Sequence, residues 1–355
     1  MKKIIKIAGA GLSGLTTGIN LLKAGYKVII YEEKENVGIK SDNEFQVIVN
    51  WMSDLDVIET LKRINIEINF SINPIKKSIL FGPGLNKKVV FNPVKPIFYL
   101  IKRGIKEDCI DFSLKQQFIR QGGKIKFNTR ANLENMDIIA IGSKKAQIMT
   151  IGYNFKTNFQ DIVCNIIDND LAPNVYAYLI IKNGQGTIAS ALSKDFKNRE
   201  MYLQKTITAF QKKLGLVIKD KKKFQGFADF FLTKTAKKDG KLYVGEAAGF
   251  QDNLVGLGIF FALKSGHLAA KSIIEKLDYD KLWKKEFNNF LKISIINRFL
   301  FEFLVYKNFN KLIKLIKKHQ ENLLDLIKKG YKFDWKMKII YIIAYLFMRK
   351  RVIRK

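Results

Sequence analysis

Cysteine, histidine, proline and acidic residues are all scarce in this chain of 355 residues, and each shortage closes a door. The only two cysteines, Cys109 and Cys164, have no metal-ligand or redox spacing. A disulfide framework is therefore excluded, and a reducing, cytoplasmic compartment is the expectation. The only two histidines, His267 and His319, form no Ser–His–Asp set and anchor no metal cluster. No uninterrupted apolar run of about 18 residues occurs, so no conventional membrane-spanning helix is expected. Acidic residues number 32 against 63 Lys and Arg, a net charge of +31. Such an excess suits nucleic acid, a membrane surface or an acidic partner. With lysine, isoleucine and asparagine abundant and only five prolines, part of it reads as composition alone. Hydrophobic residues make up 47%, enough for a sizeable core and against disorder. The length suits two domains or one elaborate domain.

The most informative stretch comes first. Residues 3–8 read as a short apolar strand, followed by Gly9-Ala10-Gly11-Leu12-Ser13-Gly14, a helix ending at Gly25, a second strand over 27–31 and the acids Glu32 and Glu33. This is the order of a dinucleotide-binding βαβ unit. Gly9 allows the turn off the strand, Gly11 lets backbone approach a pyrophosphate, and Gly14 lets helix and strand pack closely. The helix start presents free N–H groups to phosphate, and Glu32 is placed to accept hydrogen bonds from a ribose. Because the glycines fall on this loop, the opening MKKIIKIAGAG is read as a strand and not as a secretory leader.

The chain then alternates. A polar loop covers 33–45, a helix 54–63, and a β-hairpin 72–91 turns at Gly82-Pro83-Gly84. A strand over 98–103, a helix over 106–121 and the strand KIKF restore an α/β pattern. Residues 137–141, DIIAI, suit a buried parallel strand. Paired strands are expected over 176–181 and 187–192, a helix over 198–214, a buried strand over 242–245 and a helix over 256–276. Between the last two lies a second cluster of small residues, with Gly245, Glu246, Gly249, Gly256 and Gly258. Small residues there let backbone lie against a flat ligand.

Residues 245–266, GEAAGFQDNLVGLGIFFALKSG, resemble the second flavin motif of FAD-dependent oxidoreductases of the glutathione reductase type. Among these, the stretch is most similar to the geranylgeranyl reductase family, whose pattern approximates G-D-A-A-G-x-x-D-P-x-x-G-x-G-I-x-x-A-x-x-S-G. The amino-terminal unit resembles the ADP-binding motif of the same enzymes. YLIKR, ending at Arg103, looks like their arginine segment. LAPNVYAYLIIK, residues 171–182, is similar to their A-P-x-x-Y-x-W-x-F-P motif near the flavin. The resemblance covers about residues 1–280. It departs at Glu246, where the family has Asp; at Asn253, where it has Pro; at Tyr178, where it has Trp; at Ile180-Ile181, where it has Phe-Pro; and at SKKAQIM, where it has D-G-x-x-S. The linker of about ten residues from Thr129 to Ile138 is also too short for the family's β-meander.

The resemblance implies an α/β fold: a Rossmann-like FAD-binding domain (residues 1–70, 105–150 and 225–280), an α+β substrate domain (71–104 and 151–224) and a basic helical carboxyl-terminal segment (281–355). It implies FAD as cofactor, held by Gly9, Gly11, Leu12, Ser13, Gly14, Glu32, Glu33, Arg103, Gly245, Glu246, Gly249, Gly256 and Gly258. Tyr176 and Tyr178 are the candidates for shaping the substrate pocket, with a phenol as a possible proton donor. Alternating with apolar neighbours, they equally suit a core sheet. No residue is assigned to catalysis, no metal site is expected, and the electron donor is not specified.

The segment 281–355 carries 20 Lys and Arg against five Asp and Glu, a net of +15, between apolar runs of about ten residues. Flanking Trp, Tyr, Lys and Arg fit a helix lying in the interface of an anionic membrane; a helical cap with solvated lysines is the alternative. No nucleic-acid-binding pattern matches. The expectation is a membrane-peripheral FAD-dependent oxidoreductase that reduces C=C bonds of isoprenoid lipid chains. The alternatives are an FAD-dependent monooxygenase and a catalytically silent flavin- or lipid-binding protein.

Overall fold

A computed structural model describes residues 3–142, 147–254, 256–305 and 308–352, with the side chains of 304 and 305 left aside. Residues 143–146, where the resemblance expects D-G-x-x-S, lie outside the described residues, as do Met1, Lys2, Val255, Tyr306, Lys307 and the last three residues of the tail.

The opening unit consists of β1 (Ile4–Ala8), α1 (Leu12–Lys23) and β2 (Lys27–Tyr31), with the strands parallel from Ile4 opposite Lys27 to Ala8 opposite Tyr31. β3 (Glu44–Val49) leaves this sheet, and the capped helix α2 (Val57–Arg63) follows, with the Asp56 carboxylate accepting from the Ile58 N–H. β4 (Ile72–Pro74), the hairpin β5 (Ser78–Phe81) and β6 (Lys88–Phe91), and β7 (Phe98–Arg103) come next. β7 pairs antiparallel with both β3 and β4 in a small three-stranded sheet. α3 (Ile110–Arg120), β8 (Lys124–Lys126) and β9 (Ile138–Ile139) return to the first sheet, β8 beside β2 and β9 beside β1.

Next come β10 (Ile148–Lys156), β11 (Ile162–Ile166), β12 (Ala177–Lys182), β13 (Gln185–Leu192), α4 (Arg199–Leu214) and β14 (Lys219–Ala228). With the hairpin they form a seven-stranded sheet, ordered β14-β10-β13-β12-β11-β5-β6. α4 packs Leu203, Ile207 and Phe210 on one face of it. The sequence reading had no strand over β14. Its first five residues, KDKKK, are all exposed and only Phe224 is buried, so almost no apolar alternation marks it. β15 (Lys237–Lys238) and β16 (Lys241–Tyr243) complete the first sheet, ordered β15-β16-β9-β1-β2-β8.

Four helices close the chain after α5 (Ile259–Glu275): α6 (Tyr279–Leu300), running into a π turn at Phe301–Val305, then α7 (Phe309–Lys318), α8 (Leu323–Gly330) and α9 (Trp335–Val352). α6 is built into the core. Its Trp283 and Phe287 pack on Phe250, with ring centroids 4.9 and 4.8 Å away. The buried Arg298 guanidinium donates to Glu302 at 2.7 Å and to Ser193 Oγ at 2.9 Å. The chain end is tied back as well, with the Leu232 N–H donating to the Val352 carbonyl at 2.8 Å.

Candidate functional site

Where the first turn of α1 packs back on the end of β1, no atom can be added. A Cβ on Gly14 would stand 2.1 Å from the Gly9 carbonyl oxygen. On the other side of α1, a Cβ on Gly266 of α5 would stand 2.5 Å from the Ser13 carbonyl oxygen. The small faces of α1 and α5 therefore bring the two glycine clusters together. A Cβ on Gly245 would lie 2.9 Å from Ser13 Oγ, and Gly142, three residues past β9, faces the Glu246 carboxylate.

Both clusters open on one cavity of about 1450 Å³. Gly9, Gly11, Leu12, Ser13, Glu32 and Glu33 line it from the first cluster; Glu246, Gly256 and Gly258 line it from the second; Arg103, Tyr176 and Tyr178 line it too. Gly14, Gly245 and Gly249 do not. Gly14 sits at the close contact with Gly9, Gly245 lies against Ser13, and Gly249 packs against Phe231. These three shape the walls from behind.

The amino-terminal end of the cavity is polar and made largely of backbone. Gly11 precedes α1 with φ −74, a value any residue adopts, and a Cβ there would meet nothing within 4 Å. Neither conformation nor packing requires glycine at this point, and its open side faces the cavity. The start of α1 has no side-chain cap and no acidic residue in its first turn, which leaves its N–H groups and positive dipole end for an anion. The Glu32 carboxylate accepts from the Ala10 N–H at 2.8 Å and the Lys34 N–H at 3.0 Å, which holds it at the loop. Across the cavity, Gln251 donates to the Gly256 carbonyl, but its buried Oε1 has no hydrogen-bond partner among the described residues. An open glycine, an uncapped helix start and an orphaned amide oxygen together fit a bound dinucleotide.

The middle of the cavity holds a group of charges that the sequence reading did not assemble. Arg103 binds Asp111 through two parallel bonds, at 2.7 and 2.8 Å, and donates to Gln46 Oε1 at 3.1 Å. Burial works against the charge on Arg103, yet the adjacent Asp111 raises its proton affinity overall. Glu44 lies opposite Arg103 in the β3–β7 pair and lines the same cavity. One guanidinium thus serves two buried carboxyls, and Asp111 takes both of its parallel bonds. Burial pushes the Glu44 carboxyl above its ordinary range despite hydrogen bonds with Gln46 and Ser41 and the attraction of Arg103. Glu44 stood in a stretch read as polar loop, and a buried acid leaves no sequence signal when its partners come from other strands.

One face of the seven-stranded sheet forms the next wall. The Tyr176 and Tyr178 rings stand 6.1 Å apart on it, and burial raises the proton affinity of both phenols. The far end is apolar and comes from the carboxyl-terminal helices: Leu300 and Phe301, Leu312, Leu315 and Ile316, then Leu323, Leu326 and Ile327. Tyr331 joins this end to the second glycine loop, its phenol donating to the buried Asp252 at 2.7 Å.

Other sequence candidates have structural roles. His267 sits between α5 and α1 with Nδ1 2.9 Å from Asn20 Oδ1, and burial, aided by Lys264 and Lys271, lowers its pKa to about 4. Lys182 pairs with Asp161 at 2.6 Å. Cys109 and Cys164 are free, buried thiols that burial pushes up to about 12. No described helix is long and apolar enough to cross a membrane.

No family model matches the sequence, and no curated protein sequence matches it. Solved structures do match the fold. A geranylgeranyl bacteriochlorophyll reductase-like protein from Thermoplasma acidophilum superposes with a TM-score of 0.63 at 16% identity, over 99% of this chain and 100% of that one. The flavin-dependent brominase Bmp2 gives 0.64 at 14% identity, over 98% and 100%. A variant of 2-methyl-3-hydroxypyridine-5-carboxylic acid oxygenase gives 0.55 at 12% identity, over 86% and 93%. The chain has the fold of these proteins, with the Rossmann-like unit, the second sheet and the helical carboxyl-terminal segment.

Proposed function

We propose that the protein is an FAD-dependent oxidoreductase that reduces carbon–carbon double bonds in isoprenoid chains of lipids. The observation that carries this reading is the single cavity that runs from the glycine loop at α1 to the apolar end beneath α6–α8. At about 1450 Å³ it exceeds the ~300–1000 Å³ of an ordinary ligand pocket, leaving room for a long cofactor and a second, apolar ligand. The shared fold with a geranylgeranyl bacteriochlorophyll reductase-like protein supports it.

In this reading Gly11, Leu12, Ser13 and the start of α1 hold the pyrophosphate, with Gly9 and Gly14 fixing the loop. Glu32, with Glu33 beside it, holds the adenosine ribose. Glu246, which stands where the family has Asp, would hold the flavin end together with Gly256 and Gly258, with Gly245 and Gly249 keeping that loop in position. Arg103 orients the middle of the cavity through Asp111 and Gln46. When bound, FAD supplies the hydride. The chain's own residues do the rest. Tyr176 and Tyr178 would flank the alkene, the apolar side chains of α6–α8 would hold the hydrocarbon and exclude water, and the Glu44 carboxyl on the cavity wall would be the group to give a proton to the second alkene carbon. The FAD-binding parts are 1–70, 105–150 and 225–280, and the substrate parts 71–104 and 151–224, with 281–355 closing the chamber.

A second reading, an oxygen-using monooxygenase on the same scaffold, is favoured by the brominase, whose fold superposes as completely as that of the reductase-like protein, and by the oxygenase, whose fold covers 86% of the chain. The first test is the absorption spectrum of the purified protein. A flavin spectrum is expected, and a colourless protein that takes up no FAD would favour a silent binding protein. Anaerobic saturation of a geranylgeranyl chain with a chemical reductant then supports the reductase. Oxygen consumption dependent on NAD(P)H, with no saturation, supports the monooxygenase.

A further inference from the structure

Helix α9 is apolar on two sides, and only one of them is used. Ala344, Met348 and Val352 are buried against the body of the protein. On the opposite side Trp335, Ile339, Ile342 and Leu346 recur at helical spacing, and each is between 54 and 66% exposed. Phe347 borders this stripe and packs its ring on Phe299 and Phe303, and Phe303 is itself 47% exposed. Lys336 and Lys338 stand at one end of the stripe, and Arg349 and Lys350 at the other. An exposed apolar row of this length is unusual on a free protein surface, and the basic ends give it a complementary sign. The end of α6 and the π turn, whose Phe299 and Phe303 carry Phe347 of α9, also reach the cavity, because Leu300 and Phe301 line its apolar end.

We propose that the outer face of α9, with Phe303, docks flat on an anionic lipid bilayer, with its apolar stripe in the acyl boundary and Lys336, Lys338, Arg349 and Lys350 among the headgroups. The proposal stands on the surface alone and does not depend on the redox reading. Its geometry sets the apolar end of the cavity close to the membrane, where a lipid chain is within reach.

The test uses the full chain and vesicles, with no substrate or cofactor added. Wild-type protein is expected to sediment with vesicles of equimolar phosphatidylserine and phosphatidylcholine, and far less with phosphatidylcholine alone. Trp51 and Trp283 are buried while Trp335 is exposed, so vesicle binding should shift tryptophan emission to the blue through Trp335. A triple change, Ile339→Gln, Ile342→Gln and Leu346→Gln, alters exposed side chains only and should weaken binding by about tenfold or more. Lys338→Glu with Lys350→Glu should weaken binding to the anionic vesicles by about tenfold. Circular dichroism matching the wild type keeps the variants interpretable, and Trp335→Gln, which should abolish the blue shift, supplies a separate reading. Wild-type protein left in the supernatant with anionic vesicles would overturn the proposal. So would triple-variant binding equal to the wild type, or a wild-type dimer by light scattering that the triple change converts to monomer without altering sedimentation.

Discussion

The two ends of the cavity are built by different means. At the amino-terminal end, backbone faces the ligand space, and close contacts between Gly14 and Gly9 and between Gly266 and Ser13 set its shape to within an atom. At the carboxyl-terminal end, aliphatic side chains of α6–α8 face the ligand space, held by aromatic packing and by the buried Arg298–Glu302 pair. Backbone recognition demands particular residues in a short window. Apolar recognition demands only enough hydrocarbon in the right place, so it leaves no motif.

The sharpest way to break this comparison is at the contact between α1 and β1. Gly14→Val puts atoms where the Gly9 carbonyl already is, and should cost more than about 4 kcal/mol or prevent folding. Chemical denaturation followed by circular dichroism measures this, and a wild-type midpoint would contradict it. At the other end, Glu302→Gln takes the neighbouring carboxylate from an Arg298 side chain that is only 2% exposed. A loss of about 4 kcal/mol is expected in urea unfolding.

His267 links the two helices that join the glycine clusters. Its folded pKa of about 4 lies below the ordinary 6.5, so the unfolded chain takes up the proton first as pH falls. The contribution is complete above 6.5 and lost as pH drops towards 4, a decrease of about 3 kcal/mol. Melting temperatures of the wild type and His267→Gln across that window should converge in acid.

Gly11→Val sharpens the contrast with Gly14. Since a Cβ there meets nothing within 4 Å, stability should change by about 1 kcal/mol or less, while the proposed FAD binding, read from the absorbance of the purified protein, falls by at least about tenfold. Glu44→Gln should produce the smallest change, visible mainly in pH dependence. Burial raises the folded pKa of this acid above 4.5, so wild-type stability declines relative to the variant as pH rises past that value. Parallel melting curves from acid to neutral pH would contradict a Glu44 carboxyl whose burial outweighs its hydrogen bonds and the attraction of Arg103.

Much of the fold was legible along the chain. The βαβ opening, the β12–β13 pair and the helices α4 and α5 carry local periodicity and turn residues, and they lie within a few residues of where the sequence reading puts them; the hairpin turns at Gly82-Pro83-Gly84 as expected, but its first arm begins at Ser78, because Ile72–Pro74 pairs with β7 in another sheet. β14 was not legible, because its lysines point into water and its register is supplied by β10. Nor was the neighbourhood of Glu44, Arg103 and Asp111, three residues spread over β3, β7 and α3. The segment 281–355 showed its charge and its helices plainly. That α6 enters the core while α9 keeps one apolar face outside depends on which side of each helix meets the sheets, which composition does not record.

By itself, then, the sequence determined the glycine positions, the strand and helix periods and the excess of positive charge, since each is fixed by neighbours a few bonds away. Only the tertiary structure decided that two glycine clusters more than two hundred residues apart share one cavity, that the last helices supply its apolar end, and that a buried acid sits between them. The physical reason is that burial and close approach are set by surfaces that meet across the fold, and such surfaces exist only once the chain has packed.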